Sequence, residues 1–192
     1  LITSLLISTL LIGQNLDFRI DFFKNQILKD TSNKIIISEN ASTEIYELFI
    51  YKQKGFDYKR CIFIDNKYYS DSIWKDLLTE KDIEYFTKQI QENKNFKWTS
   101  DKLPPNIILY SKRKVKKYSR NAMKFFDGKA GDDFKIISIN DYSLPLFNLN
   151  KNFAIIYCGN YSGPLSASTS AEIYLKIDGK WKRIGTYLHS MS

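Results

Sequence analysis

The hydrophobic pattern of the chain changes its period at Phe134, and this change limits the folds open to it. Before Phe134 most apolar residues recur at the spacing of amphipathic helices, and after it they form the β-branched and aromatic runs of strands. Helices first and strands last are typical of α+β domains. The sequence therefore predicts an α+β fold, with N-terminal helices packed on a curved antiparallel sheet that ends in a C-terminal β-meander.

Apolar spacing, capping residues and turn signals divide the chain into elements. The predicted helices are Leu16–Asp30, Asn40–Tyr51, a short one around Ile73–Leu78, Glu80–Glu92 and Tyr118–Phe126. Short strands are predicted at Lys34–Ser38, Arg60–Asp65 and Asn106–Ser111, and the meander at Phe134–Ile139, Phe153–Cys158, Glu172–Ile177 and Trp181–Leu188. The run FAIIY (Phe153–Tyr157) is apolar throughout, which is typical of a strand covered on both faces.

Asp178 and Gly179 form the strongest turn signal in the chain. A two-residue type I′ loop would place Leu175 opposite Lys182, whereas a three-residue loop with Gly179 left-handed would place Leu175 opposite Trp181. A shift of one residue moves every side chain to the other face. Because the second register pairs two apolar side chains, the sequence favours the bulged three-residue turn.

The beginning of the chain differs in composition from the rest. Leu1–Ile12 is an uncharged run rich in Leu and Ile, and the polar Gln14 follows Gly13. Such a run fits the apolar part of a secretory signal peptide and is shorter than the roughly 20 residues that span a bilayer. We predict a signal peptide over residues 1–13 that is truncated at its N-terminus, and one α+β domain over residues 14–192. The mature chain is then periplasmic or secreted, with no transmembrane anchor.

The chain contains two cysteines, Cys61 and Cys158, and one histidine, His189. In an exported protein the cysteines could form a disulfide, or they could both be buried free thiols, and the sequence leaves these alternatives open. Their wide separation excludes the paired-cysteine zinc motifs, and a single histidine excludes a histidine-rich metal site. The sequence predicts no metal and no cofactor.

Four C-terminal segments follow one another: SLPLF (Ser143–Phe147), FAIIY, GNYSGPL (Gly159–Leu165) and EIYLKIDGKWKR (Glu172–Arg183). This succession resembles the end of a group of uncharacterised exported bacterial α+β proteins, and its closing hairpin is distantly similar to that of NTF2-like domains. The resemblance begins at Ser143. It implies export and an antiparallel meander, and it brings no catalytic residue.

The sequence bears on three kinds of chemistry. The Ser- and Gly-rich segment Gly159–Ser170 could cradle an anion or a sugar, but it lacks the P-loop lysine and serine pattern, so a hairpin connection is favoured. A serine or cysteine hydrolase is disfavoured because there is no GxSxG motif and His189 lies near the chain end. A hydrolase with two carboxylates stays open as an alternative, since 21 acidic residues supply many pairs.

The net charge of +8 is concentrated in KRKVKKYSR (Lys112–Arg120), where six of nine residues are cationic. The candidate anion-binding residues are Lys112, Arg113, Lys114, Lys116, Lys117 and Arg120. Such a segment could bind an anionic glycan or a lipid surface, or it could be a solvated face. Nucleic acid is disfavoured because Tyr118 is the only aromatic residue there.

The leading hypothesis is thus a non-catalytic binding or interaction module of the bacterial envelope or extracellular space, whose partner the sequence does not identify. The alternatives are the hydrolase with paired carboxylates and a binder of anionic polymers through the basic segment.

Overall fold

The computed structural model of the chain describes residues 15–28, 33–43, 61–64, 73, 77–129, 134–164 and 166–191. Within these residues it has three helices and one open, curved, mixed sheet of eight strands. The predicted α+β class and C-terminal meander are confirmed. The predicted signal peptide lies outside the described residues.

The helices are α1 (residues 15–26), α2 (Glu80–Glu92) and α3 (Lys112–Phe126), and a 3-10 turn lies at Ser100–Lys102. The strands are β1 (Ile35–Ser38), β2 (Cys61–Phe63), β3 (Ile107–Tyr110), β4 (Ile139–Tyr142), β5 (Leu146–Phe147), β6 (Phe153–Gly163), β7 (Ser166–Ile177) and β8 (Lys180–Met191). Their order across the sheet is β2-β8-β7-β6-β4-β1-β3, and β5 pairs with β6 beside β4.

One end of the sheet is parallel, which the sequence did not predict. β1 pairs in parallel with β3 on one side and β4 on the other, whereas β4, β6, β7, β8 and β2 pair antiparallel. The helix α3 connects β3 to β4, so the two strands run in the same direction. This crossover follows the common strand–helix–strand pattern of parallel sheets.

The central strand β6 is covered on both faces, as its apolar sequence predicted. Phe153, Ile155 and Tyr157 lie in a core with residues of α2, including Phe86 and Ile90. The alternate residues Ala154 and Ile156 lie in a second core on the opposite face, which contains Phe22 and Phe23 of α1. A third, smaller core beneath α3 contains Tyr118, Ala122 and Ile139.

The prediction of a bulged turn between β7 and β8 is wrong. Ile177 pairs with Lys180 and Leu175 with Lys182, so the loop has two residues, and both Asp178 (φ 50°) and Gly179 (φ 74°) are left-handed as in a type I′ turn. The prediction assumed that only one face of the hairpin formed by β7 and β8 is buried. In the folded chain both faces are buried, so Leu175 and Trp181 pack in the two different cores.

The segment Gly159–Ser170, predicted as a hairpin connection, is instead mostly strand. β6 continues to Gly163 and β7 begins at Ser166, with Asn160 opposite Ser168. Backbone pairing with β4 and β8 on the outer sides extends this hairpin beyond its apolar part. Polar side chains here therefore lie on strands and do not form a cradling loop.

Residues 134–138 contain no strand, so the first strand of the meander begins only at Ile139. The Phe134 ring stacks on Tyr118 with 5.6 Å between centroids. The Tyr118 hydroxyl accepts a hydrogen bond from the Ile137 amide at 3.0 Å, and it lies 2.9 Å from the carbonyl oxygens of Ile137 and Ser162. Contacts with α3 replace strand pairing in this segment.

Two predicted helices need revision at their starts. α3 begins at Lys112, six residues before the predicted Tyr118, so it includes the whole basic segment. Of the helix predicted at Asn40–Tyr51, residues 40–43 are not helical, and Asn40 forms a bridge with Lys97. Residues 44–51 lie outside the described part. Among the described helices, none is both long and apolar enough to cross a bilayer.

Candidate anion-binding surface

The helix α3 brings all six predicted anion-binding residues onto one element. Ser111 caps its N-terminus by accepting a hydrogen bond from the Lys114 amide at 3.4 Å. Val115, Tyr118 and Ala122 recur at helical spacing and pack towards the sheet at Ile139. Because these apolar positions face inward, the cationic side chains between them are exposed to solvent.

Four of the cations form a straight row, called here the basic stripe: Arg113, Lys117, Arg120 and Lys124. Their spacing of four, three and four residues keeps them on one side of the helix. With a rise of 1.5 Å per residue, the row is about 16 Å long. Lys112 and Lys116 lie beside it, and Lys114 lies over the Tyr110 ring, 5.5 Å from the centroid.

Lys124 was missing from the predicted set. The helix was predicted to start only at Tyr118, so the basic segment before it and Lys124 within it were assigned to different elements. The signal was present, because Lys124 continues the helical spacing that begins at Arg113.

The charge of α3 is not compensated within the helix or by its described neighbours. The helix carries seven cations and no acidic residue. Among the ion pairs that the described residues form, none includes a cation of α3. Three cations, Lys112, Arg113 and Lys114, occupy the first turn, where the helix dipole disfavours positive charge. This surface is therefore strongly positive, and the nearest described acidic residue in sequence is Asp127, which caps the C-terminal end of α3 and pairs with Lys129 at 3.7 Å.

A crevice of about 430 Å³ lies beside the N-terminus of α3, at the end of β1. Its lining is mixed, with lysines and other polar residues beside three apolar ones, and Lys112 belongs both to it and to the surface of α3. The lining residues are Ser38, Asn40, Ala41, Ser42, Thr43, Lys94, Asn95, Phe96, Lys97, Lys112, Val115 and Asp141. Lys97 pairs with Glu39 at 3.1 Å.

The described lining of the crevice does not contain the two carboxylates that the hydrolase alternative requires. Asp141 is the only acidic side chain among the described residues that line it. Glycoside hydrolysis needs two carboxyl groups about 5 to 9.5 Å apart. Across the described part of the chain, no group of three or more His, Cys, Asp and Glu side chains is arranged to hold a metal ion.

Within the described part of the chain, Cys61 and Cys158 do not form a disulfide with each other. Cys61 belongs to β2 and lies in the core with α2, whereas Cys158 belongs to β6 and packs against the opposite core. β8 and β7 separate their strands, and neighbouring strands are about 4.8 Å apart. The two cysteines therefore lie on opposite faces of the sheet and on strands that are not neighbours.

The surroundings of Cys158 suit a structural thiol better than a nucleophile. Burial raises the pKa of the Cys158 thiol well above its ordinary value, and the nearby Glu172 carboxylate raises it further. Glu172 already accepts a hydrogen bond from the Tyr174 hydroxyl at 2.6 Å and pairs with Arg183 at 3.1 Å. A thiol that stays protonated at neutral pH is a poor nucleophile.

No family model, no curated protein and no solved structure matches the chain. Function is therefore inferred from the geometry and charge of α3.

Proposed function

We propose that the chain is a non-catalytic binding module of the bacterial envelope or extracellular space, and that α3 binds a ligand carrying many negative charges. The observation that carries this proposal is the basic stripe, which has four exposed cations in a row, none of them in an ion pair of the described residues. A ligand with repeated negative charges, such as an anionic polymer or surface, complements such a row better than a single small anion does.

The energetic cost of the arrangement supports a functional role. α3 contains four pairs of cations spaced four residues apart: Lys112–Lys116, Arg113–Lys117, Lys116–Arg120 and Arg120–Lys124. Each like-charge pair destabilises a helix by about 0.2 to 0.5 kcal/mol, so the four together cost on the order of 1 to 2 kcal/mol. Residue choices that destabilise a helix, such as these like-charge pairs, concentrate at functional sites, because selection for binding there outweighs selection for stability.

The proposal is tested by measuring affinity for heparin, a soluble polyanion, as a function of salt concentration. The triple variant R113A/K117A/R120A removes three cations of the basic stripe, and alanine keeps the helix propensity of α3 high. We expect its affinity at about 0.1 M salt to fall at least tenfold, with a shallower dependence on salt.

The matched control is K176A/K180A/K182A, which removes three exposed lysines at the β7–β8 turn. It changes the net charge by the same amount but leaves α3 intact, so its affinity should change less than about twofold. If both triple variants lose affinity equally, heparin senses only net charge, and α3 is not the binding site.

The extracellular location is the part of the proposal that depends on Leu1–Ile12. It is tested by expressing the full-length gene in a bacterium, fractionating the cells and sequencing the N-terminus of the protein outside the cytoplasm. Residues from Gln14 onward at that N-terminus would support export and cleavage after Gly13. Recovery only in the cytoplasm with residues 1–13 retained would contradict this part.

A further inference from the structure

We infer that the anionic ligand of α3 is the surface of a lipid bilayer, into which the C-terminal end of the helix inserts apolar side chains. This inference rests on the proposed function, because the basic stripe supplies the attraction to the headgroups. It adds a second, apolar contact that a water-soluble polyanion does not need.

Four large apolar side chains are exposed on the last turn of α3 and on the segment after it that packs against this helix, and we call them the apolar end: Met123, Phe125, Phe126 and Ile136. Their exposed fractions are 49%, 38%, 44% and 54%, respectively. Met123 and Phe126 lie within one turn of Lys124, so apolar and cationic side chains share the same end of α3. Exposed large apolar groups that lie together indicate an interaction surface.

The phenylalanines are held in place before any ligand binds. Phe125 and Phe126 contact each other edge to face, with 5.7 Å between ring centroids, and Phe125 lies 5.2 Å from the Phe134 ring. Phe126 packs so closely on Gly163 that an added Cβ there would lie 2.7 Å from its ring. A ring that is exposed and already ordered loses little conformational entropy on insertion.

A bilayer offers both of the contacts that this end of α3 requires. Anionic headgroups attract Lys and Arg, and the boundary with the acyl chains accepts Met and aromatic side chains. The aliphatic stems of Lys124 and Arg120 can lie along the apolar region while their charged ends stay among the headgroups. A soluble polyanion would leave the apolar end in water, so the bilayer explains more of the surface.

The experiment compares sedimentation with three probes: vesicles of phosphatidylcholine, vesicles of an equal mixture of phosphatidylcholine and phosphatidylglycerol, and heparin. The test variant is M123S/I136S, which makes two exposed side chains polar. The control is I64S/L149S, which changes two apolar side chains that are 66% and 49% exposed outside α3. Circular dichroism and thermal melts verify that each variant is folded.

The unmodified chain should bind the mixed vesicles and not phosphatidylcholine alone. M123S/I136S should lower affinity for the mixed vesicles at least about fivefold, because apolar contact area is lost, and leave heparin affinity within about twofold. Part of the vesicle binding should persist at about 1 M salt, where charges are screened within 3 Å, and this part should vanish in M123S/I136S. I64S/L149S should behave as the unmodified chain.

The other outcomes overturn the inference in distinguishable ways. Vesicle binding that M123S/I136S does not weaken would mean that only charge is recognised. Heparin binding that depends on the basic stripe, without vesicle binding, would identify a soluble polyanion as the ligand and leave the proposed function standing. Failure to bind both heparin and the mixed vesicles would overturn the proposed function itself.

Discussion

Gln89 and Phe147 exchange two hydrogen bonds: the Gln89 Nε2 donates to the Phe147 carbonyl at 2.7 Å, and the Phe147 amide donates to the Gln89 Oε1 at 3.2 Å. The side chain of a helix residue thereby pairs with the backbone of β5 as a neighbouring strand would. Both residues are buried, so water cannot replace these bonds. The pair fixes α2 against the edge of the sheet.

Replacing Gln89 by Leu should therefore be strongly destabilising. The new side chain has similar size but leaves the Phe147 amide and carbonyl buried without partners, and each unsatisfied group costs about 1 to 3 kcal/mol. We expect the free energy of unfolding, measured by denaturant titration, to fall by at least about 2 kcal/mol. Gln91→Leu on the exposed side of α2 is the control and should change it by less than about 0.5 kcal/mol. Equal effects of the two variants would contradict this role of Gln89.

Asp82 fixes the other end of α2 and should make stability depend on pH. Its carboxylate accepts hydrogen bonds from the Thr79 amide and hydroxyl at 2.8 and 2.7 Å and from the Leu149 amide at 2.8 Å. Burial alone would raise the pKa of Asp82, but these bonds to the charged form outweigh it and lower the pKa below 3.8. The ionised carboxylate thus joins the start of α2 to the turn before β6.

Asp82→Asn should lower the free energy of unfolding by about 1 to 3 kcal/mol at neutral pH, since an amide cannot accept all three bonds. Because the folded pKa is depressed, the stabilisation is fully present above the unfolded pKa and is lost as the pH falls through the folded value. The difference between the two proteins should therefore be constant above about pH 5 and shrink in more acidic solution. Denaturant titrations across this range measure it, with Glu84→Gln as an exposed control. A difference that grows on acidification would contradict the assignment.

Elements whose position depends on neighbouring residues were predicted correctly, whereas features that depend on residues distant in sequence were not. The start of α2 was predicted to the residue, because Thr79 and Asp82 form a capping box that depends only on neighbouring residues. The predicted end at Glu92 is also correct. The register at Gly179 was predicted wrongly, because it depends on which faces of the sheet are covered, and that is decided by α1 and α2 far away in sequence.

No local sequence pattern predicts the parallel pairing of β1 with β3 and β4. The parallel direction of β3 and β4 depends on the crossover helix α3, whose first turn consists of cations and so lacked the apolar period that identifies a helix. For the candidate site, the cationic residues were predicted because charge is visible in composition. The apolar end was not, since Met123 and Phe126 have the same residue types as a buried core and only the fold shows that they are exposed.

The two thiols should be unreactive in the folded protein. Cys61 is buried, and burial of the Cys158 thiol raises its pKa, so little thiolate is present near neutral pH. Alkylation by iodoacetamide at pH 8 should be at least about tenfold slower than for an unfolded sample. In denaturant without reductant, mass spectrometry should find both cysteines alkylated. A mass two hydrogens lighter with neither modified would instead demonstrate a disulfide.

Arg113→Glu should separate stability from binding within α3. Position 113 lies in the first turn, where the helix dipole favours a negative charge, and a glutamate there replaces repulsion from Lys117 by attraction. We expect the free energy of unfolding to rise by about 0.5 to 1.5 kcal/mol. The same substitution interrupts the basic stripe, so the salt concentration that elutes the protein from heparin should decrease. Lys180→Glu reverses a charge at the β7–β8 turn and should change neither quantity appreciably. A stabilised Arg113→Glu variant that keeps its full affinity for heparin would show that the uncompensated charge of α3 does not serve binding.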